Sequence, residues 1–156
     1  MQPTITEVHP FTVSGISVRT INSDEAQPLT AKLPGLWGQF HSQGLAGKIL
    51  DKVDDPSVYG VYSEYESDAS GHYRTTAGVR VSKASADFDS VEIRGGQYLV
   101  FKAKGAMPQI AVDTWVTIWS FFETTRDFQR CFTTDFEKYP GPNEVAIHIA
   151  VESLNT

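Results

Sequence analysis

Leu36-Trp37-Gly38-Gln39-Phe40, followed by Ser63-Glu64-Tyr65-Glu66, returns later as Ile118-Trp119-Ser120-Phe121-Phe122 followed by Thr134-Asp135-Phe136-Glu137. In each copy an aromatic segment with helical spacing precedes an acidic and aromatic segment suited to a strand end. A repeat of this kind describes a pseudo-symmetric domain of two halves with a cleft between them. Paired aromatics and carboxylates along such a cleft would suit flat, apolar cations.

The first copy begins with a strand through Phe11, Val13, Ile16 and Val18 that ends at Arg19-Thr20, with a turn at Asn22-Ser23-Asp24-Glu25. Leu33, Leu36, Trp37 and Phe40 then make one apolar helical stripe, and Pro34 must sit in its first turn because a proline ring blocks interior positions. Gly44 or Gly47 ends this helix. Val58 to Tyr65 is rich in strand-forming side chains, and Ser67 to Gly71 turns the chain into a return strand from Tyr73 to Val81.

The second copy starts near Asp89. A turn at Ile93-Arg94-Gly95-Gly96 leads into a strand from Gln97 to Lys104, and Met107-Pro108 opens a helix whose buried stripe is Val112, Trp115, Ile118, Trp119 and Phe122. Arg130 to Tyr139 and Val145 to Val151 form a last hairpin around Pro140-Gly141-Pro142-Asn143. Each half is therefore strand, helix, strand, strand, with modules at about 5–88 and 89–154 of one domain over 1–156. Trp37 and Glu66 are 29 positions apart, against 18 for Trp119 and Glu137, and the connector between Gly44 and Pro56, charged from Ile49 on, accounts for the excess. That connector reads as a surface loop, with a lid over the cleft as the alternative.

A chain of 156 residues, 40% hydrophobic, suffices for one packed domain. Short, interrupted apolar runs and the lack of a secretory leader predict a cytoplasmic protein with no membrane partner. The single Cys131 excludes an intrachain disulfide, and four scattered histidines give no metal-ligand spacing, so neither metal nor cofactor is expected. A net charge of −6 argues against direct contact with nucleic acid and favours cationic ligands.

Strand parity puts Cys131, Asp135, Glu137 and Tyr139 on one face and Arg130, Phe132 and Phe136 on the other. If helices cover the Phe132 and Phe136 face, Glu137 projects to the opposite side, with Glu66 as its symmetry mate and Tyr62 and Tyr139 as an aromatic floor. Rings and a carboxylate together supply what an aromatic cation needs; as the alternative, both glutamates are solvated strand-end residues and both tyrosines are packing partners. Trp37 and Trp119 read first as core, and Trp115 as the tryptophan that reaches an opening. His148, flanked by Ala146 and Ala150, reads first as a hydrogen-bonded, half-buried strand histidine; as the alternative, the room beside it makes it a cleft residue that exchanges a proton near neutrality. Cys131 reads as a buried small hydrophobe.

Several segments resemble the GyrI-like small-molecule-binding family, used as effector-binding module by AraC- and MerR-type regulators and as stand-alone integron-cassette proteins. They are Phe11 to Arg19 with Asn22 and Glu25, Leu33 to Phe40, Tyr59 to Asp68 with Gly71 and Tyr73, and Asp135 to Tyr139. The resemblance implies an α+β fold of the SHS2-duplication type: an antiparallel sheet from two pseudo-two-fold-related β-α-β-β modules, helices on one face. It also implies bulky, hydrophobic, often cationic ligands held between the modules by aromatics and an acidic residue. Many members carry a glutamate in the last strand, at the place of Ala146 here, which shifts the acidic role to Glu137 or Glu66. The candidate ligand site is thus Glu137, Glu66, Tyr62, Tyr139, Trp115, Trp37, His148 and Ala146. Two other functions implied by the family are hydrolysis of strained, cyclopropane-type toxins, with Glu137 as base and Tyr139 or Tyr62 orienting it, and inhibition of DNA gyrase. The expected state is monomer or homodimer, with a separate regulator protein as a further partner.

Overall fold

In the computed structural model, which describes residues 2–154, the chain forms eight strands and three α-helices. The strands are β1 (Thr4–Val8), β2 (Phe11–Ile21), β3 (Val58–Ser63), β4 (His72–Val81), β5 (Asp89–Ile93), β6 (Gly96–Lys104), β7 (Phe128–Gly141) and β8 (Glu144–Ser153). The helices are α1 (Asn22–Glu25), α2 (Leu33–Ser42) and α3 (Gln109–Thr124), with a short 3-10 turn at Leu45–Gly47. All strands belong to one antiparallel sheet in the order β1-β6-β8-β7-β3-β4-β2-β5. Its middle six strands mirror about the β3–β7 pair, so the fold is α+β with the duplication that the sequence repeat suggests.

Two strands went unread in the sequence. β1 pairs with β6 of the second half, and β5 pairs with β2 of the first, so each leading strand lies on the other half's edge. β1 shows almost no burial contrast, hence no periodic signal for a strand.

These crossed strands curl the sheet. β1 and β2 are joined by His9-Pro10 alone, and β5 and β6 by Arg94-Gly95, yet each pair is six places apart in the sheet. A flat sheet would separate them by about 29 Å, whereas two connecting residues span at most about 11 Å. The edges must therefore approach, and a Cβ on Gly95 would lie 2.8 Å from Pro10 Cδ. The curl encloses a core of Val13, Tyr59, Val61, Ile93, Tyr98 and Phe136 on the face without helices.

The other face carries two further cores, one under each long helix. α2 packs Leu36 and Phe40 onto Ala77, Val79 and Val81, and α3 packs Ile118 onto Leu99, Phe101, Ile147 and Ile149. Each fully buried side chain of this kind contributes about 1.5–3 kcal/mol. The helices thus cover the face opposite Phe136, which corrects the expected assignment of faces. The connector after α2 is tied to β4 by a Lys52–Val81 bridge and by Val53 N–H donating to Arg80 O at 3.1 Å.

The expected stripe of α3 is corrected too. Thr114 and Ile118 are the buried positions, while Val112 is 53% and Trp119 42% exposed. Apolar residues occupy more than one side of this helix, and the spacing of Val112, Trp115 and Trp119 describes a second face.

Candidate functional site

Because α2 rests on β2 and β4 while α3 rests on β6 and β8, the central strands β3 and β7 lie bare between the helices. The result is a cavity of about 1200 Å³. Trp37 and His41 come from α2, Val112, Trp115 and Trp119 from α3, and Tyr62, Glu137 and Tyr139 from the floor. The rings line the wall in two groups: Trp37 meets Tyr139 edge-on at 5.5 Å, while Tyr62 meets Trp115 at 5.2 Å and Trp115 meets Trp119 at 6.1 Å.

Glu137 is 3% exposed. Its Oε2 accepts from Tyr62 OH at 2.9 Å and Trp115 Nε1 at 2.7 Å, and its Oε1 from Tyr139 OH at 2.9 Å. Burial raises its pKa above the ordinary 4.5, and the three hydrogen bonds pull it back in part. Burial also holds the Tyr62 and Tyr139 hydroxyls well above their usual range, so both remain neutral donors.

The other charged side chains of the cavity are engaged differently. Glu25 accepts from Lys32 N and Leu33 N at 2.8 and 3.1 Å, closing the start of α2. Arg130 pairs with buried Asp135 at 2.8 Å. Only Glu137 is held solely by neutral side chains among the described residues lining the cavity.

Gly60 lies directly opposite Glu137 in the β3–β7 register. A Cβ there would come within 2.6 Å of Glu137 Oε1 and 2.8 Å of Trp37 Cζ2, so the bare backbone makes room for both. Ordinarily alanine is the better strand residue. Gly60→Ala is therefore expected to reverse that preference, destabilising the fold by about 1–3 kcal/mol. Urea unfolding measures this, and an unchanged or raised midpoint would contradict the tight seat.

The structure brings Glu137, Tyr62, Tyr139, Trp115 and Trp37 together; Trp37 packs against the core under α2 and also lines the cavity, whereas Trp119 stands at the cavity wall and not in the core. It removes three candidates. β3 ends at Ser63, so Glu66 sits in the following turn, exposed and against His72 Nδ1 at 3.6 Å, away from Glu137. Ala146 and His148 are on the opposite face, where the imidazole stacks on Phe136 at 4.2 Å. Burial lowers the His148 pKa to about 4, so it carries no charge near neutrality. Cys131 is exposed, not buried.

Sequence parity also misplaced Arg130. β7 carries an irregular register between Arg130, which pairs with Val151, and Asp135, which pairs with Ile149, and Phe132 within it has φ 54°. The bulge turns Arg130 onto the face of Asp135. Tyr65 and Tyr73, also at the cavity, had been read only as strand residues; their aromatic clustering with Tyr62 was the available signal. Among the described residues no group of three or more His, Cys, Asp or Glu is placed to hold a metal ion, and no helix is long and apolar enough to cross a membrane.

Known proteins share this architecture. An integron cassette protein from the mobile metagenome of Vibrio cholerae is 37% identical, with a TM-score of 0.83 over 97% of this chain and 96% of that one. The structure of SAV2435 bound to tetraphenylphosphonium matches with a TM-score of 0.79 over 97% and 94% of the two chains, at 17% identity, which speaks to the fold alone. YobU, a transcriptional-regulator candidate of Bacillus subtilis (strain 168), is 27% identical over 149 residues, 89% of this chain and 91% of that one. The Cass2 family model, integron-associated effector binding protein, matches residues 4–151. With nearly the whole chain inside that match, this protein belongs to the Cass2 family of integron-associated effector binding proteins.

Proposed function

We propose that this protein binds bulky hydrophobic cations in the cavity between α2 and α3, with Glu137 as counter-charge and Trp37, Tyr62, Trp115 and Tyr139 as aromatic walls. The observation that carries the reading is a carboxylate buried among rings without an ion partner. Burying an isolated charge is unfavourable unless a partner meets it, and aromatic faces add attraction for a cation of about 0.5–2 kcal/mol each. The family's effector binding and the tetraphenylphosphonium complex of a protein of the same fold support it. Three donors occupy most of the roughly four acceptor directions of the carboxylate, which suits a counter-charge better than a base that must also orient water.

In this reading residues 1–156 act as one binding unit, with the modules at about 5–88 and 89–154 contributing one wall each. Occupancy serves either sequestration or a signal to a separate regulator protein.

Titration with tetraphenylphosphonium, followed by tryptophan fluorescence, tests the proposal: saturable quenching is expected, and a signal that stays flat at millimolar probe rules it out. The titration should depend on pH. As pH falls through the raised Glu137 pKa, the carboxylate takes a proton and affinity for a permanent cation falls. Stability moves the other way. The folded state holds this proton more tightly than the unfolded chain, so the contribution of Glu137 to stability is fully present below the ordinary 4.5 and is lost as pH rises through the folded value. Comparing the wild type with Glu137→Gln from about pH 4, below the ordinary 4.5, up to about pH 8 isolates both effects, and an affinity that is constant over that whole range contradicts the assigned role.

A further inference from the structure

We infer that α2 is an adjustable wall of the cavity, closing on ligands smaller than the space between the helices, and that Gly35 and Gly38 set the range of ligand sizes accepted. This rests on the cation-binding reading and assigns size selection within the same site. Both glycines lie inside α2, three positions apart. A Cβ on either would meet no atom within 4 Å, and both residues are exposed, so no neighbour requires glycine there. Neither has the left-handed backbone that would call for it. Each glycine instead weakens the helix, by about fourfold to fivefold relative to alanine and about 20-fold for the pair.

The rest of α2 does little to restore what the glycines remove. It has ten residues, two buried side chains, Leu36 and Phe40, and no side-chain cap from its own N-cap residue Lys32. The Glu25 carboxylate closes its first turn from outside the helix, and Gly44, with φ 59°, follows its end. The opposite wall differs, since α3 runs for sixteen residues without glycine or proline. Sharp helix bends arise at a few identifiable causes, glycine among them. Trp37 and His41, stacked at 5.8 Å, both reach the cavity from α2. A bend at the glycines therefore moves two rings across the cleft relative to Trp115 and Trp119. The cavity, about 1200 Å³, exceeds the roughly 300–1,000 Å³ of ordinary small-molecule sites, which enclose most of their ligand. A compact cation meets both walls only if one of them moves, and α2 is the wall built to do so.

The test compares the full chain with Gly35→Ala/Gly38→Ala, in which both added methyl groups enter open space. Amide exchange of the unliganded proteins reads the helix itself: α2 should exchange faster than α3 in the wild type and about 20-fold more slowly in the variant, with α3 unchanged. Calorimetric titrations then use tetraphenylphosphonium and the smaller benzyltrimethylammonium. Stiffening α2 opposes the larger closure that the smaller cation needs, so the ratio of the two affinities should move about tenfold toward tetraphenylphosphonium, within the 20-fold the glycines supply. Gly47→Ala, equally open but outside α2, should alter neither measurement. Should the double variant not fold, the single variants carry the same test at about fourfold each. Wild-type exchange no faster in α2 than in α3, or an unchanged affinity ratio, overturns the adjustable wall while cation binding stands. If neither cation binds the wild type, the cation reading fails and the size assignment falls with it.

Discussion

Glu137→Gln should weaken tetraphenylphosphonium binding by about 30-fold or more, because truncating one member of a buried charge pair costs about 2–5 kcal/mol. The substitution keeps the shape of the side chain and removes the charge. Tyr62 and Trp115 can still donate to the amide oxygen, while the Tyr139 hydroxyl, now facing an NH₂ group, can rotate to accept. The unliganded variant should be at least as stable as the wild type near neutral pH, since an unpaired buried carboxylate is replaced by a neutral group. Lost affinity with retained stability is the signature of a binding charge. Calorimetry and urea unfolding measure the two, with Glu66→Gln as a control that should change neither, as Glu66 is exposed and outside the cavity. An affinity within threefold of wild type for Glu137→Gln would remove the carboxylate from the binding site.

Asp135→Ala is expected to produce the largest loss of stability, about 3–5 kcal/mol, the usual cost of leaving a buried charge without its partner. Asp135 is fully buried and accepts from Arg130 Nη2 at 2.8 Å, Ala150 N at 2.8 Å and Tyr65 OH at 2.5 Å. It therefore holds the bulged part of β7, the strand β8 and the turn after β3. Removal orphans a guanidinium and a backbone N–H together. The double substitution Arg130→Met with Asp135→Leu should recover the share of the loss that comes from the orphaned guanidinium, while the Ala150 N–H and the Tyr65 hydroxyl stay without their acceptor. Chemical denaturation of the three variants measures this, and a single-variant loss below about 1 kcal/mol would show the pair to be solvated.

Glu137 and Glu66 show where legibility in the sequence ended. Both occupy the same place in the repeat, yet one is buried beneath two helices and the other ends in a solvated turn, because β3 stops at Ser63. The repeat describes chemical similarity, but β3 ends three residues short of Glu66 while β7 runs on past Glu137 to Gly141, and that reassigns the side chain entirely. His148 and Ala146 were misplaced for a related reason. Their alternation along β8 was legible, but alternation does not say which of the two faces meets the helices. Trp119 followed the helical period faithfully and still faces the cavity, since α3 has apolar side chains for both the sheet and the cleft.

From the residues alone came the duplicated strand-helix-strand-strand order, the helix starts near Pro34 and Pro108, the hairpin turns, and Glu137 as an acidic candidate among aromatics. These follow from local chemistry: ring-locked backbone, turn-forming residues and side-chain period act over a few positions. Tertiary structure alone decided that the bare β3–β7 pair faces a cavity between the helices, that β1 and β5 cross to opposite edges, and that a bulge turns Arg130 inward. Those outcomes depend on which distant surfaces pack together and on the two-residue joints that force the sheet to curl, and neither leaves a period in the sequence.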